Sequence, residues 1–423
     1  MNQIDGDIAR ASVAEPEPAT YRGFGPRPAM PDIKLFHGYM AVIPEVDRAD
    51  FAALERRFSE PFVGITTDGT PRHDLFSPDQ PGAPTGSIAD AAREFLDSLS
   101  SDDQRLAALQ PFDSPHRRRW TNAFSTWLPP GVLLDDLTSA QREAAMTVIR
   151  RCMSPSGFAE ARDVMKLNEA LGDLVRRYRD TLREWIYFFT IFGEPSEEEP
   201  WGWQLMGHHL VINCFVLGEQ MVLSPVFMGA EMIELDEGRF AGLRVFDAEQ
   251  SRGLELVRSL SADQQEVAVL YRSMLNADQP PEFYSGRVEG RHRGGAGRDN
   301  LVLGYQGIAG SALEPGQREL LMALIDTYLA RTAGPHAAVA RARAERHLDE
   351  THFAWIGDPD SDGPFYYRVH SPVVLVEFDH HSGIFLTSDE PQPFHAHTIV
   401  RVPNGGDYGM ELLRQHRSPA ATS

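Results

Sequence analysis

Residues 365–402 read FYYRVHSPVVLVEFDHHSGIFLTSDEPQPFHAHTIVRV. Runs of β-branched and aromatic residues are interrupted by the turn-forming clusters His381-Ser382-Gly383 and Glu390-Pro391, the pattern of successive strands. The spacing predicts strands over 365–369, 373–378, 384–387 and 395–402. Side chains alternate across a strand, so His395 and His397 project from one face with Ile399 and Arg401, while Ala396, Thr398, Val400 and Val402 project from the other. Two imidazoles placed in this way can hold one metal ion.

Upstream, helical spacing covers 248–275, 336–348 and 314–331, the last with a stripe of Leu320, Leu321, Leu324, Ile325, Tyr328 and Leu329. Before these, 208–216 (HHLVINCFV) and 220–223 read as strands around a Leu217-Gly218-Glu219 turn. The acidic, proline-bracketed stretch 193–200 is a connector. The segments 89–109 and 137–189 are helical in pattern, with a break near Pro155 and Asp135, Ser139 and Ser154 placed to cap helix starts. Residues 1–30, rich in Ala, Pro, Glu and Gly, read as a mobile arm. The expectation is α+β: one large domain over 31–423, helix-rich over 31–193 and sheet-rich with helices over 200–416, its sheet largely antiparallel. No repeat of solenoid period is present.

The chain has 423 residues, 42% of them apolar, enough for a substantial core. A formal charge of −21, from 61 acidic against 40 basic side chains, argues against nucleic acid or anionic lipid as partner and for a small-molecule substrate. The first residues lack a basic start and an apolar core, and no apolar run is long enough to cross a bilayer, so a cytoplasmic protein without membrane association is expected. Cys152 and Cys214 lie far apart in sequence and in different kinds of element, and they read as buried thiols.

Eight of the fifteen histidines fall between His347 and His416. The candidate ligands are His395, His397 and the pair His208-His209. Neighbouring residues of a strand face opposite ways, so one of that pair joins the set and the other orients ligands. The sequence leaves open which. Glu377, a carboxylate inside an apolar run, is a candidate fourth ligand or general base, and Arg401 or Arg368 would steady a carboxylate or developing oxyanion. His352, Trp203, Tyr367 and Tyr408 are candidate substrate contacts. Asp379-His380-His381 precedes Ser-Gly and reads as an exposed turn. The glycine string over 290–297 (GRHRGGAG) reads as a mobile basic loop. No nucleophile elbow, P-loop, HExxH or dinucleotide fingerprint is present.

The ordered set WGW (201–203), GHHL (207–210), PVFMG (225–229), Asp299-Asn300, Gly307, YYR (366–368), Glu377-Phe378, HAH (395–397), RVP (401–403) and DYG (407–409) resembles the domain of unknown function 3500 family over about residues 35–416. The resemblance implies no reaction. From side-chain chemistry the expected function is a metal-dependent enzyme acting on a small organic molecule, one that bears a carboxylate. Zinc, manganese or iron, with copper as a further option, would promote hydrolysis or lyase chemistry. An iron- or copper-dependent oxidoreductase using dioxygen and a non-catalytic ligand-binding protein with structural histidines are the alternatives.

Overall fold

The computed structural model describes residues 34–36, 40–42, 48–77, 82–122, 130–175, 179–283, 290–386 and 388–418. The expected arm over 1–30 lies outside them. Eight strands make the body of one open sheet: β1 (Tyr187–Phe192), β2 (Trp201–Gly207), β3 (Leu210–Leu217), β4 (Gln220–Ala230), β5 (His352–Ile356), β6 (Tyr366–His370), β7 (Leu375–Ser382) and β8 (Pro391–Arg401). Their order is β5-β6-β7-β8-β4-β3-β2-β1, every neighbouring pair antiparallel. With the larger helices on one face and Arg48–Ser59 and Met410–Arg417 against the other, the architecture is α+β, as the strand and helix patterns predict.

Some boundaries differ from expectation. Tyr187–Phe192 is a strand rather than the end of a helix, because a continuous apolar run carries no period to distinguish the two. The stretch 193–200 is therefore the loop of the β1–β2 hairpin. Residues 384–386 form a turn and not a strand. Thr387 lies outside the described residues. Ser154 caps Pro155–Leu174 by accepting the Gly157 N–H, but Thr138 rather than Ser139 caps Ser139–Cys152.

The chain is built twice. Gly131-Val132 … Leu137 … Gln141-Arg142-Glu143 … Met146 … Ile149 recurs as Gly307-Ile308 … Leu313 … Gln317-Arg318-Glu319 … Met322 … Ile325. Likewise Gly193-Glu194-Pro195 … Pro200-Trp201-x-Trp203 recurs as Gly357-Asp358-Pro359 … Pro364-Phe365-x-Tyr367. The contacts repeat with the letters. Gln141 Nε2 donates to the Ser98 carbonyl at 3.0 Å and Gln317 Nε2 to that of Ser259 at 2.9 Å. Arg142 donates to the Leu134 carbonyl and Arg318 to that of Gly310. Gly131 and Gly307 both have positive φ, and a Cβ on either would strike the carbonyl of Phe189 or Phe353, its counterpart. Each half thus ends in a four-stranded meander, β1–β4 or β5–β8. Ile212 pairs with Val226 and the equivalent Val376 with Val400, while Val226 and Val400 pair with each other. A local twofold therefore passes between β4 and β8, joining the meanders into one sheet.

The two faces of the sheet differ in chemistry. Trp203, Ile212, Val226, Val400, Phe378, Tyr367 and Trp355 lie on the face that packs against Ser139–Cys152, Pro155–Leu174, Asp247–Ser259 and Pro315–Leu329 in the main apolar core. Each of these large side chains contributes roughly 1.5–3 kcal/mol by leaving water. The opposite face carries Tyr366, Arg368, Glu377, Asp379, His381, His395, His397 and Arg401, all buried. Among the described residues no helix is long and apolar enough to cross a membrane.

Candidate metal centre

The polar face is buried because a roof covers it. The roof is residues 290–299, the string expected to be a mobile loop. In the structure Arg291, His292, Ala296 and Asp299 are all buried. Buried acceptors on the sheet hold it down. Glu377 accepts the backbone N–H of Arg293 and Gly294 at 2.6–2.8 Å and the Tyr366 hydroxyl at 2.5 Å. Asp379 accepts the Arg291 N–H at 2.9 Å. Arg401 donates to Asp407 at 2.8 Å, to Asp299 at 2.7 Å and to the Gly294 carbonyl at 2.9 Å. The glycines permit this closeness: a Cβ on Gly290 would lie 2.3 Å from both Asp379 Oδ2 and His381 Nδ1.

Under the roof, His209, His395 and His397 meet. Their Nε2 atoms are 3.0 Å apart between His395 and His397 and 3.2 Å from each of these to His209. All three side chains are buried. The HxH pair sits on β8 as the alternation predicts. His208 and His209 do not begin a strand; they form the two-residue turn between β2 and β3, with His209 at a φ of 62°. This conformation swings His209 over Gly229, whose N–H donates to the His209 carbonyl, and the absent side chain of Gly229 leaves room for His209 and His397. His208 stacks on His209 at 3.9 Å and bonds through Nδ1 to Asn168 Oδ1 at 2.7 Å. Of the pair, His209 therefore faces the other two imidazoles and His208 stands behind it.

The protonation states follow from the contacts. Burial, reinforced by neighbouring imidazoles, holds His209, His395 and His397 well below the usual histidine range, so each is neutral near pH 7. His395 Nδ1 lies 2.8 Å from the Ser382 carbonyl, an acceptor only, so Nδ1 carries the proton and Nε2 presents a lone pair to the cluster. Burial also puts His208 at about 3. Three first-row metal–nitrogen bonds of about 2.0–2.1 Å require nitrogens spaced about 2.8–3.4 Å apart, and the observed spacing falls in that range. The residues present fit a divalent metal ion, with the His395–Ser382 bond as its orienting contact.

Asp379 and His381, expected to be exposed, are buried beside this cluster in β7. His381 stacks on His397 at 4.4 Å, and its Nδ1 is 3.5 Å from Asp379 Oδ2. Burial alone would push the Asp379 carboxyl up, but the His381 interaction, with Arg291 and His292, holds it below the usual range. Among the described residues Asp379 Oδ1 is buried without a donor. The period-2 sequence Glu377, Asp379, His381 beside the HxH strand was the available signal for these groups. His292, whose ring lies 5.6 Å from that of His397, had none.

The remaining candidates are dispersed. Arg368 donates to Tyr366 and to Gln306 Oε1, while its Nε has no acceptor among the described residues. Tyr408 lies farther along, accepting from Trp120 and donating to Asp299. His352 stacks on Tyr305 at 4.6 Å. Trp203 and Tyr367 belong to the helix-covered face, where Trp203 donates to Cys152 Sγ and Tyr367 bonds Tyr328 at 2.5 Å. Cys152 and Cys214 are free thiols with sulfurs 3.8 Å apart.

The fold and site define a duplicated α+β protein with a buried three-histidine cluster. Residues 81–410 match the family described as protein of unknown function (DUF3500), and the chain belongs to that family. No curated protein and no solved structure matches it.

Proposed function

We propose that this protein is a metal-dependent enzyme acting on a small organic molecule, with His209, His395 and His397 as the metal ligands. The observation that carries the reading is the convergence of three neutral, buried Nε2 atoms at 3.0–3.2 Å. Three imidazole ligands leave coordination positions open, unlike a closed structural site. A bound divalent ion would supply Lewis acidity toward water or a substrate oxygen, favouring hydrolysis or lyase chemistry.

The chain's own groups complete the site. Asp379 and His381 are the polar side chains beside the triad best placed to orient a reacting molecule, and Asp379 Oδ1 retains unused acceptor capacity. Glu377 and Arg401 are committed to the roof and act by positioning it, since their hydrogen bonds are directed at residues 293–299 and 407. Arg368, with its free Nε–H, is the better candidate for a substrate carboxylate.

The test is metal analysis of native, untagged protein beside a His395→Ala/His397→Ala variant, followed by a turnover screen of the metal-loaded form. About one equivalent of metal, absent from the variant, is expected. Native protein that stays metal-free after incubation with zinc, manganese and ferrous iron would overturn the reading. Turnover that persists after verified metal removal would overturn its catalytic part.

A further inference from the structure

The local twofold places a second position in the molecule equivalent to the metal centre. Following the strand pairing, His209 corresponds to Val373, His397 to Val222 and His395 to Gln220, while Asp379 and His381 correspond to Phe215 and Leu217. Val373, Val222, Phe215 and Leu217 belong to one apolar cluster. The second half-site has thus exchanged every imidazole and carboxylate for apolar or neutral side chains. It has not closed up. A cavity of about 80 Å³ lies beside it, in the gap where β4 and β8 diverge beyond Val226 and Val400, lined by Gln220, Val222 and Val373 of the second half-site together with Val226, Val400 and Tyr328 of the helix-covered face. That volume exceeds what one water needs by several-fold.

The lining is lopsided. One part is aliphatic, including Val222, Leu223, Val373 and Val400, and the other holds Arg343 and His336 from the helix Gly334–Arg346 together with Arg331, whose guanidinium is already paired with Glu160 and Glu249. Among the described residues Arg343 has no carboxylate partner. Its guanidinium lies 4.7 Å over the Phe76 ring, and its buried Nε has no acceptor among the described residues. Burial and the nearby Arg346 lower its pKa to about 10, which is the mark of a cation short of counter-charge. A half-buried guanidinium without a carboxylate partner at the end of an aliphatic cavity complements a molecule with an anionic head and a short apolar tail.

We infer that this cavity is a second ligand site, distinct from the metal centre, that binds a short-chain aliphatic carboxylate with its head on Arg343 and its tail between β4 and β8. The inference is independent of any metal at the histidine triad.

The probes are butanoate, hexanoate and octanoate, with hexanol as the uncharged control, titrated calorimetrically into the full-length native protein. Four proteins are compared: wild type, Arg343→Gln, Val339→Trp, which fills the cavity from a half-buried lining position, and His395→Ala/His397→Ala. Saturable binding of a carboxylate, weakened at least tenfold by either Arg343→Gln or Val339→Trp and at least tenfold weaker for hexanol, is expected. The triad variant should bind as wild type does. Absence of saturable binding to wild type, affinity unchanged in both cavity variants, or affinity lost only in the triad variant would each overturn the assignment. Circular dichroism of each variant separates a lost site from a lost fold.

Discussion

His380 makes the stability of this protein sensitive to acid in a way that can be calculated. Its side chain lies on the helix-covered face, between Phe365 and Phe378, and is 1% exposed. Nδ1 accepts the Phe365 N–H at 3.0 Å, and Nε2 therefore carries the proton toward Gln250 Oε1 at 3.2 Å. A second proton could enter only at Nδ1, removing the acceptor from a buried amide and placing a charge among aromatic rings. Burial accordingly lowers its pKa to about 3. In the unfolded chain the value is about 6.5, so the unfolded state takes up a proton that the folded state refuses. The stability contributed by neutral His380 is complete above about pH 6.5 and is lost as pH falls, by about 1.4 kcal/mol per pH unit. At pH 5 the loss is about 2 kcal/mol. His380→Asn keeps an acceptor near the Nδ1 position but cannot titrate. Unfolding free energies measured in urea at pH 7.5 and pH 5.0 should show the wild type losing about 2 kcal/mol more than the variant across that interval. Equal losses in the two proteins would refute the assignment of His380 as a buried neutral group.

Three further outcomes are expected. Arg401→Met leaves Asp299 and Asp407 buried without their shared cation and should cost about 3–5 kcal/mol in chemical unfolding, with adding Asp299→Asn and Asp407→Asn restoring part of it. Gly290→Ala drives a methyl into Asp379 and His381 at a positive φ and should cost about 1–3 kcal/mol and weaken metal retention, whereas Gly316→Ala, which faces open space within a helix, should lower neither. Gln141→Leu and Gln317→Leu each remove a capping box and a bond to the preceding helix, so each should cost about 1–2 kcal/mol. Because they lie in different halves, their costs in a double variant should add to within about 0.5 kcal/mol.

How much of this was readable beforehand depended on how local each cause is. The HxH pair was legible because period-2 alternation is a property of one strand, and the helix at Pro315–Leu329 was legible from its apolar stripe, while the pattern over 336–348 located the helix Gly334–Arg346 to within two residues at each end. The choice between His208 and His209 was not, since it turns on a left-handed residue in a two-residue turn. Asp379-His380-His381 looked exposed because Ser382-Gly383 follows it. Its burial comes from a roof folded back from some 90 positions earlier, and the glycines of that roof, read as slack, are sites of close approach. The duplication is faint in the sequence because its matching letters are few and are separated by 164–176 positions, whereas the repeated hydrogen bonds and strand registers display it directly.

The histidine cluster draws one member from the first half of the chain and two from the second, with His209 and His395 separated by 186 positions. Bringing together the ends of so long a flexible loop would cost about 4–5 kcal/mol of chain entropy, a cost already met when β4 pairs with β8. The three imidazoles therefore come together only once the chain extends to His397 and β8 lies beside β4. If the cluster holds a metal ion as proposed, its capture would be an end-of-line inspection, reporting that both halves are made, folded and joined.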